Sequence, residues 1–528
     1  MENIKKKIEH GECYLGIELG STRIKAVLID SLGETLAVGG YGWENQLVND
    51  FWTYSTEDVW KGISACYLDL KNNVKEKYSV TIKNFKAMGF SGMMHGYMVF
   101  DKDFNHLAPF RTWRNTKQEE ASNSLTKEFQ YPVPQRFSAA HIYQAILNNE
   151  EHVNDIDFQT TLAGYVHYVL TGKKVIGIGE ASGIFPIDID EKDYNKKHLE
   201  TFNNLIKEKN ISWKYEDILP KVLVAGELAG KLTYDGAILI DPTGDLCEGI
   251  PFVAPEGDAG TGMVATNSIS VRTGNISAGT SVFAMIVLEK ELSKLHKELE
   301  LVTTPTGDLV AMVHSNNCTS YLNNWINIFN EVLKTFGFDV STDDLYTKLF
   351  EKALEGDVSG GGVLTYGYLS GEHITEFEVG RPLFVSNPNQ NINLANFLRS
   401  NLYSSIGALK VGLEVLFKEN VKIDTIYGHG GFFKTENVGQ YIMSQATGTP
   451  ISVLETASEG GAWGMAILSA YLDNNNVSLN EFLENTIFSK SIVSTVTASK
   501  EDCQGFDIFM ERYKKGLPIE RSAIDNLI

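Results

Sequence analysis

One pattern occurs twice in this chain, far apart, and it limits the folds available. Tyr14-Leu15-Gly16-Ile17-Glu18-Leu19 and Arg23-Ile24-Lys25-Ala26-Val27-Leu28-Ile29-Asp30 alternate apolar and polar residues on either side of Gly20-Ser21-Thr22. Successive side chains of a strand point to opposite faces, so this reads as two strands joined by a tight polar turn, a β-hairpin. The second occurrence runs from Ser268 to Leu288, with two β-rich runs around Gly279-Thr280-Ser281. Each hairpin opens one half of the chain. There is no repeat at the period of about 20–50 residues that marks a solenoid, so the halves read as two related lobes.

Length supports that division. The chain has 528 residues, 43% of them hydrophobic, and single cores stop growing at about 250–300 residues. The expected units are an N-terminal lobe over 12–262, a C-terminal lobe over 263–488, and an extension over 489–528 with no assigned role. The boundary is expected near Ala259 to Thr266, where glycines and small residues cluster. Strand and helix signals are mixed, which gives an α/β class. A helix is expected around Thr160 to Leu170, ending at Thr171-Gly172. The spacing of Phe397, Leu398, Leu402, Ile406, Leu409, Leu413 and Leu416 predicts one long amphipathic helix over Leu394 to Phe417. Ile423 to Tyr427, Gly428-His429-Gly430-Gly431, then Val438, Tyr441, Ile442 and Ala446 read as strand, glycine turn and helix.

Charge and cysteine usage remove several classes of function. Lys plus Arg number 46 and Asp plus Glu 67, a formal net charge of −21, which argues against a general binder of nucleic acid or anionic membranes. Cys13, Cys66, Cys247, Cys318 and Cys503 are scattered and odd in number, a poor match to a disulfide scaffold or a zinc site. Lys5-Lys6-Lys7 has no apolar segment behind it, and Ala462 to Leu472 is too short to span a bilayer. A cytoplasmic, reduced, soluble protein is expected, with an isologous dimer as the base-rate oligomer.

Several short motifs carry chemistry. Gly20, Ser21 and Thr22, with Arg23 and Lys25 beside them, form a hairpin tip whose N–H groups and hydroxyls suit phosphate oxygens, although most such tips are only tight turns. Gly279 and Thr280 offer a second tip, and two tips can hold a polyphosphate from both lobes. Glu18, just before the first tip, is placed to reach a hydrated Mg²⁺. Gly430 and Gly431 admit a flat ligand near a helix start; neither a G-x-G-x-x-G nor a G-x-x-x-x-G-K-[ST] run is present. In Glu256-Gly257-Asp258-Ala259-Gly260, Asp258 either terminates a turn or accepts a proton from a hydroxyl. Ser91-Gly92-Met93-Met94-His95-Gly96 reads as a strand end bearing a histidine, with no second ligand at metal-binding spacing.

Taken together, from about Tyr14 to Leu472, these residues resemble the FGGY family of carbohydrate kinases. Gly16 to Asp30 is similar to the family's first phosphate motif, Gly279-Thr280-Ser281 to its second, and Gly428 to Gly431 with Glu459-Gly460-Gly461-Ala462 to its adenosine-side signature. Gly362 to Glu372 also resembles a family segment. Met94-His95-Gly96 resembles the sugar-contact motif of the xylulokinase branch, with Thr112-Trp113-Arg114-Asn115 and Gly179-Glu180-Ala181-Ser182-Gly183 in matching order. The resemblance implies two actin-like (ribonuclease H-like) lobes with ATP and Mg²⁺ in the cleft between them. It implies phosphorylation of the terminal hydroxyl of a ketopentose, L-ribulose or D-xylulose. The implied roles are Asp258 as catalytic base; Met94, His95 and Trp113 with Asp258 as sugar contacts; Gly20, Ser21, Thr22, Arg23, Gly279, Thr280, Gly430 and Gly431 on the nucleotide; and Glu18 on Mg²⁺. Three positions depart from the family pattern: Glu18 replaces an Asp, Ala259 an Asn, and Asn115 an Asp, which weakens the case for D-xylulose. Glycerol or gluconate kinases on this fold, and chaperone-type ATPases, are the alternatives.

Overall fold

The computed structural model describes residues 2–390, 392–454 and 460–527. The chain is mixed α/β and divides into two compact units. The first contains Met1–Ile269, Glu300–Val310 and Glu459–Lys490; the second contains Ser270–Leu299, Ala311–Ser458 and Ser491–Ile528. Where the sequence suggested a single crossing near Ala259 to Thr266, the chain passes between units several times. The cluster of small residues there is a helix of the first unit, Asp258–Ala265.

The first sheet follows the order Leu228–Lys231, Pro251–Val253, Ala87–Gly92, Tyr14–Leu19, Arg23–Ile29, Thr35–Gly42. The expected hairpin is present, with Tyr14 opposite Ile29 and Leu19 opposite Ile24. Ala87–Gly92 lies parallel to Tyr14–Leu19 on one side and to Glu256–Gly257 on the other. Glu18, Ser91 and Glu256 therefore fall in one row across three parallel strands. Gly20, Met93 to His95 and Asp258 leave the sheet together at the carboxyl ends of those strands, where open α/β sheets place their ligands.

The Gly460–Tyr471 helix covers this sheet and is buried nearly throughout. Gly16 makes that approach possible, because a Cβ there would stand 2.1 Å from the Ala462 carbonyl oxygen. The Leu162–Thr171 helix is stopped by Gly172 in the left-handed region, as its sequence predicts, and Thr161 caps its start.

The second sheet runs through Val282–Val287, Thr273–Ala278, Thr425–His429, Ile451–Leu454 and Val493–Val496 in that order. Its hairpin pairs Ala278 with Val282, and Thr273–Ala278 runs parallel to Thr425–His429, so Gly279 and Gly430 emerge side by side. The predicted long helix is two helices, Leu394–Ser405 and Gly407–Lys418, broken at Ile406. The Tyr513 ring approaches Gly407 so closely that a Cβ would meet it at 2.6 Å. Nor is the first half amphipathic: Asn396, Arg399, Ser400 and Asn401 are buried, with Arg399 donating to the carbonyls of Leu354 and Gly356.

The segment without an assigned role completes this unit. Val493–Val496 pairs with Ile451–Leu454 as an edge strand. The Lys500–Asn526 helix, capped by Ser499, buries Phe506, Phe509, Met510 and Tyr513. No described helix is long and apolar enough to cross a membrane.

Candidate functional site

In the first unit the site is built on the carboxyl ends of the three parallel strands. Asp258 begins its helix, with Gly257 as the extended residue before it. The backbone N–H groups of Met94 and Ala259 both donate to its Oδ1, at 3.2 and 2.9 Å, which leaves Oδ2 for another partner. Burial raises the pKa of Asp258, and the two N–H donors and the Arg136 guanidinium pull it back part of the way. Arg136 is held in turn by Glu300, with Nε and Nη2 donating at 2.9 and 2.6 Å.

His95 adopts φ 70°, the left-handed region that non-glycine residues rarely enter. Its ring stacks on Phe137 with centroids 5.1 Å apart, and Nδ1 lies 3.2 Å from the Gly183 carbonyl oxygen. A carbonyl only accepts, so Nδ1 carries the proton and Nε2 presents a lone pair. Burial holds the imidazole neutral by pushing its pKa well below the ordinary value. The segment thus offers a fixed acceptor at His95 and a carboxylate at Asp258, joined through the Met94 backbone.

Glu18 is half-buried under the start of the Gly460–Tyr471 helix, where the Ala462 N–H donates to Oε2 at 3.2 Å. Burial and then the nearby charge of Asp258 raise its pKa to about 7, against the helix N–H and Lys25. A like charge that raises a carboxyl pKa is offset when a cation stands beside it. Among the described residues no group of three His, Cys, Asp or Glu could hold a metal. That donor set fits Mg²⁺, which keeps several waters and takes one or two carboxylates plus substrate phosphates. Glu459, part of the motif beside this helix start, lies outside the described residues.

The first hairpin tip is tied by aromatic side chains. Trp43 Nε1 donates to the Gly20 carbonyl at 2.7 Å, Tyr54 OH to the Ser21 carbonyl at 2.5 Å, and Trp113 Nε1 to Ser21 Oγ at 3.2 Å. The polar atom of Trp113 therefore serves the tip. Thr22 and Arg23 are exposed, and the Arg23 guanidinium lies against Gly40 of the next strand. Asn115 is buried and spent on the backbone: Nδ2 donates to the Trp52 and Thr112 carbonyls and Oδ1 accepts from the Trp52 N–H. An Asp could not make those donations, so this departure has a structural cause.

In the second unit Gly279 and Thr280 sit beside Gly430. The Gly279 carbonyl accepts from Thr319 N–H and Oγ1 at 3.0 and 2.6 Å, and the Thr280 carbonyl from Cys318 N–H at 2.9 Å. Gly430 has φ 98°, and a Cβ on it would stand 2.4 Å from the Ala278 carbonyl oxygen. Gly431 faces open space. The two glycine turns thus form one smooth backbone surface with no bulky side chain at its centre.

The motif reading did not single out Arg136, Trp43, Tyr54, Glu256 or the side-chain role of Glu180. For both Glu180 and Glu256 a signal existed: Glu180 is a lone acid among glycines and apolar residues, and Glu256 stands two residues before Asp258 after an apolar run. The others act through contacts distant in sequence.

Comparison with known proteins bears on the family and the fold. The model of the FGGY family of carbohydrate kinases, N-terminal domain, matches residues 13–265, and that of the C-terminal domain matches residues 274–472. A xylulose kinase of Haemophilus influenzae is 21% identical over 512 residues, covering 95% of this chain and 98% of its own. Among solved structures, a ligand-bound xylulose kinase from Lactobacillus acidophilus superposes with a TM-score of 0.78 at 15% identity, over 97% of this chain and 99% of the other. A gluconate kinase from the same organism gives 0.75 at 16% identity, over 96% and 97%. The fold is thus the actin-like two-lobe α/β fold of these kinases, and the chain belongs to the FGGY family of carbohydrate kinases, enzymes that use ATP as phosphate donor.

Proposed function

We propose that this enzyme transfers the γ-phosphoryl group of ATP to the terminal hydroxyl of a ketopentose, with D-xylulose as its best acceptor. The observation that carries the reading is Asp258, a carboxylate with Oδ1 fixed by two backbone N–H groups, one of them that of Met94, the residue before His95. Phosphoryl transfer asks little covalent work of the protein, so positioning and charge neutralisation dominate. Asp258 Oδ2 accepts the proton of the attacking hydroxyl as its bond to phosphorus forms. A pKa raised by burial makes it a better acceptor. His95 Nε2 accepts a hydrogen bond from a second sugar hydroxyl, and Met94 packs against the carbon chain.

Gly20, Ser21, Thr22 and Arg23 in the first unit, and Gly279, Thr280, Gly430 and Gly431 in the second, are the residues we assign to the nucleotide. Mg²⁺, when bound with ATP, neutralises charge on the phosphates. Glu18 is the residue that would hold it. Such a reaction belongs in the cytoplasm, where ATP is supplied.

D-Xylulose is favoured because relatives bearing the name xylulose kinase span nearly the whole chain, and because the Asn115 departure is accounted for by the loop it holds. L-Ribulose is the second acceptor, since Ala259 removes a polar group beside Asp258. ADP release with Mg-ATP is the test, against D-xylulose, L-ribulose, D-ribulose, L-xylulose, glycerol and gluconate. Turnover concentrated on D-xylulose is expected. Preference for glycerol or gluconate would overturn the ketopentose assignment, and hydrolysis indifferent to sugar would overturn the kinase reading.

A further inference from the structure

Two buried acids near Asp258 have no part in the steps above. The Glu256 carboxylate, one residue before Gly257, accepts from the backbone N–H groups of Gly179 and Glu180 at 3.4 and 3.0 Å. The Glu180 side chain returns in the opposite direction. A Cβ on Gly257 would stand 2.5 Å from Glu180 Oε2 and 3.1 Å from Met94 Cγ. Glu180 and Met94 thus close on the backbone immediately before Asp258. Glu180 is fully buried, and among the described residues no hydrogen bond of ordinary geometry reaches either carboxyl oxygen. Burying a carboxyl group with only the Thr161 hydroxyl as a favourable neighbour is costly, and such a group calls for a role.

The same short turn also serves His95. Gly183, which holds Nδ1, is three residues after Glu180, and its N–H bonds the Glu180 carbonyl at 3.0 Å. The turn is fastened on its far side by Thr303, whose Oγ1 donates to the Ile178 carbonyl and whose N–H donates to Ser182 Oγ, both at 3.0 Å. One clasp therefore sets the position of the base and of the sugar acceptor together.

We propose that Glu180 and Glu256 are positioning residues that lock the Ile178–Gly183 turn to Glu256-Gly257 and so fix the spacing between Asp258 and His95. Burial raises the pKa of both, that of Glu256 to about 8. The charges facing Glu180 are those of Asp258 and Glu256, with the Thr161 hydroxyl as the favourable neighbour. The two sites differ in what they tolerate. Glu180 has no N–H to satisfy, so an amide of equal size can replace it. Glu256 offers two oxygens to two N–H groups, and an amide would turn an NH₂ toward one of them.

This inference rests on the assignment of Asp258 and His95 to the acceptor side. The test is steady-state kinetics on the full-length enzyme with D-xylulose and Mg-ATP for Glu180→Gln, Glu180→Met, Glu256→Gln and Asp258→Asn, with melting temperatures in parallel. Glu180→Met keeps the volume and removes the polar atoms. It should lower kcat about tenfold, as misplacement by a fraction of an ångström does, with the ATP KM unchanged. Glu180→Gln should restore kcat to within about threefold of wild type, while Glu256→Gln should fall at least as far as Glu180→Met. The expected loss exceeds any fall in folded fraction. If Glu180→Met matches wild type, or Gln at 180 is no better than Met, while Asp258→Asn is inactive, the positioning role is wrong and the acceptor-side reading stands. If Asp258→Asn turns over normally, both are overturned.

Discussion

The two hairpin tips look alike in sequence and are held differently. Gly20-Ser21-Thr22 hangs from side chains: two indole N–H groups and a phenol, with Trp43 stacked on Tyr54 at a centroid distance of 4.3 Å. Gly279-Thr280-Ser281 hangs chiefly from the backbone at Cys318 and Thr319. The first tip is therefore adjustable one side chain at a time, and the second depends on the main chain lying where it does. The first also stands beside two acids, Glu18 and Asp258, whereas the second stands beside the glycines of Gly428 to Gly431. A pattern of alternation and small residues specifies the turn; what steadies it is supplied by the rest of its own unit.

The sharpest way to break the backbone-held tip is Gly430→Val. A branched side chain at φ 98°, with the Ala278 carbonyl at 2.4 Å, should raise the ATP KM about tenfold or more. D-Xylulose binding measured by calorimetry should not change. Loss of sugar binding instead would show that the second tip does not act on the nucleotide alone.

The side-chain-held tip should yield in steps. Tyr54→Phe and Trp113→Phe each remove one hydrogen bond, worth about 1 kcal/mol, so the double variant should lose about thirtyfold in kcat/KM for ATP. Thr319→Val, which leaves the backbone N–H bond in place, should cost only about twofold to threefold. Equal losses at both tips would remove the distinction.

The acids beside the first tip add a pH dependence. The Glu18 pKa is near 7, so at limiting Mg²⁺ turnover should fall as pH drops through about 7, and excess Mg²⁺ should move that limb downward. The stability effect has the opposite sense. A carboxyl whose pKa is raised on folding contributes fully below its ordinary range and loses that contribution as pH rises through the folded value. The melting temperature of Glu18→Gln relative to wild type should therefore climb between pH 5 and 8. A constant offset would mean that Glu18 titrates normally.

The smallest effect on catalysis is expected from Asn115→Asp. It should lower the melting temperature by a few degrees, because two carbonyls lose their donor and face a carboxylate, while the sugar KM stays within about twofold. An improved KM for D-xylulose would return this position to the sugar site.

Both hairpins, the helix that ends at Gly172 and the strand leading into Gly430 were legible because each signal is local: alternation or a glycine. The break at Ile406 was not, since apolar spacing runs on across it, and the close approach of Tyr513 to Gly407 comes from far along the chain. Nor does the sequence show the Leu354 and Gly356 carbonyls that receive the buried Arg399 guanidinium. The tail looked featureless for a related reason. Its apolar residues are too sparse to advertise a core, yet Phe506 and Phe509 pack on Tyr403 at 4.7 and 5.2 Å between centroids. At the candidate site, residue types were legible and their connections were not: the sequence does not show that the Trp113 indole N–H donates to Ser21 Oγ.

The measurement that bears most directly on the account is phosphoryl transfer to D-xylulose by Asp258→Asn. Both backbone N–H donors to this position belong to residues the substitution leaves intact, and an amide oxygen can accept from them, but it cannot take the substrate's proton. The expected result is a loss of about 10²–10⁴ in kcat, with sugar and ATP binding retained. Turnover within a few-fold of wild type would contradict the assignment of Asp258 as the base.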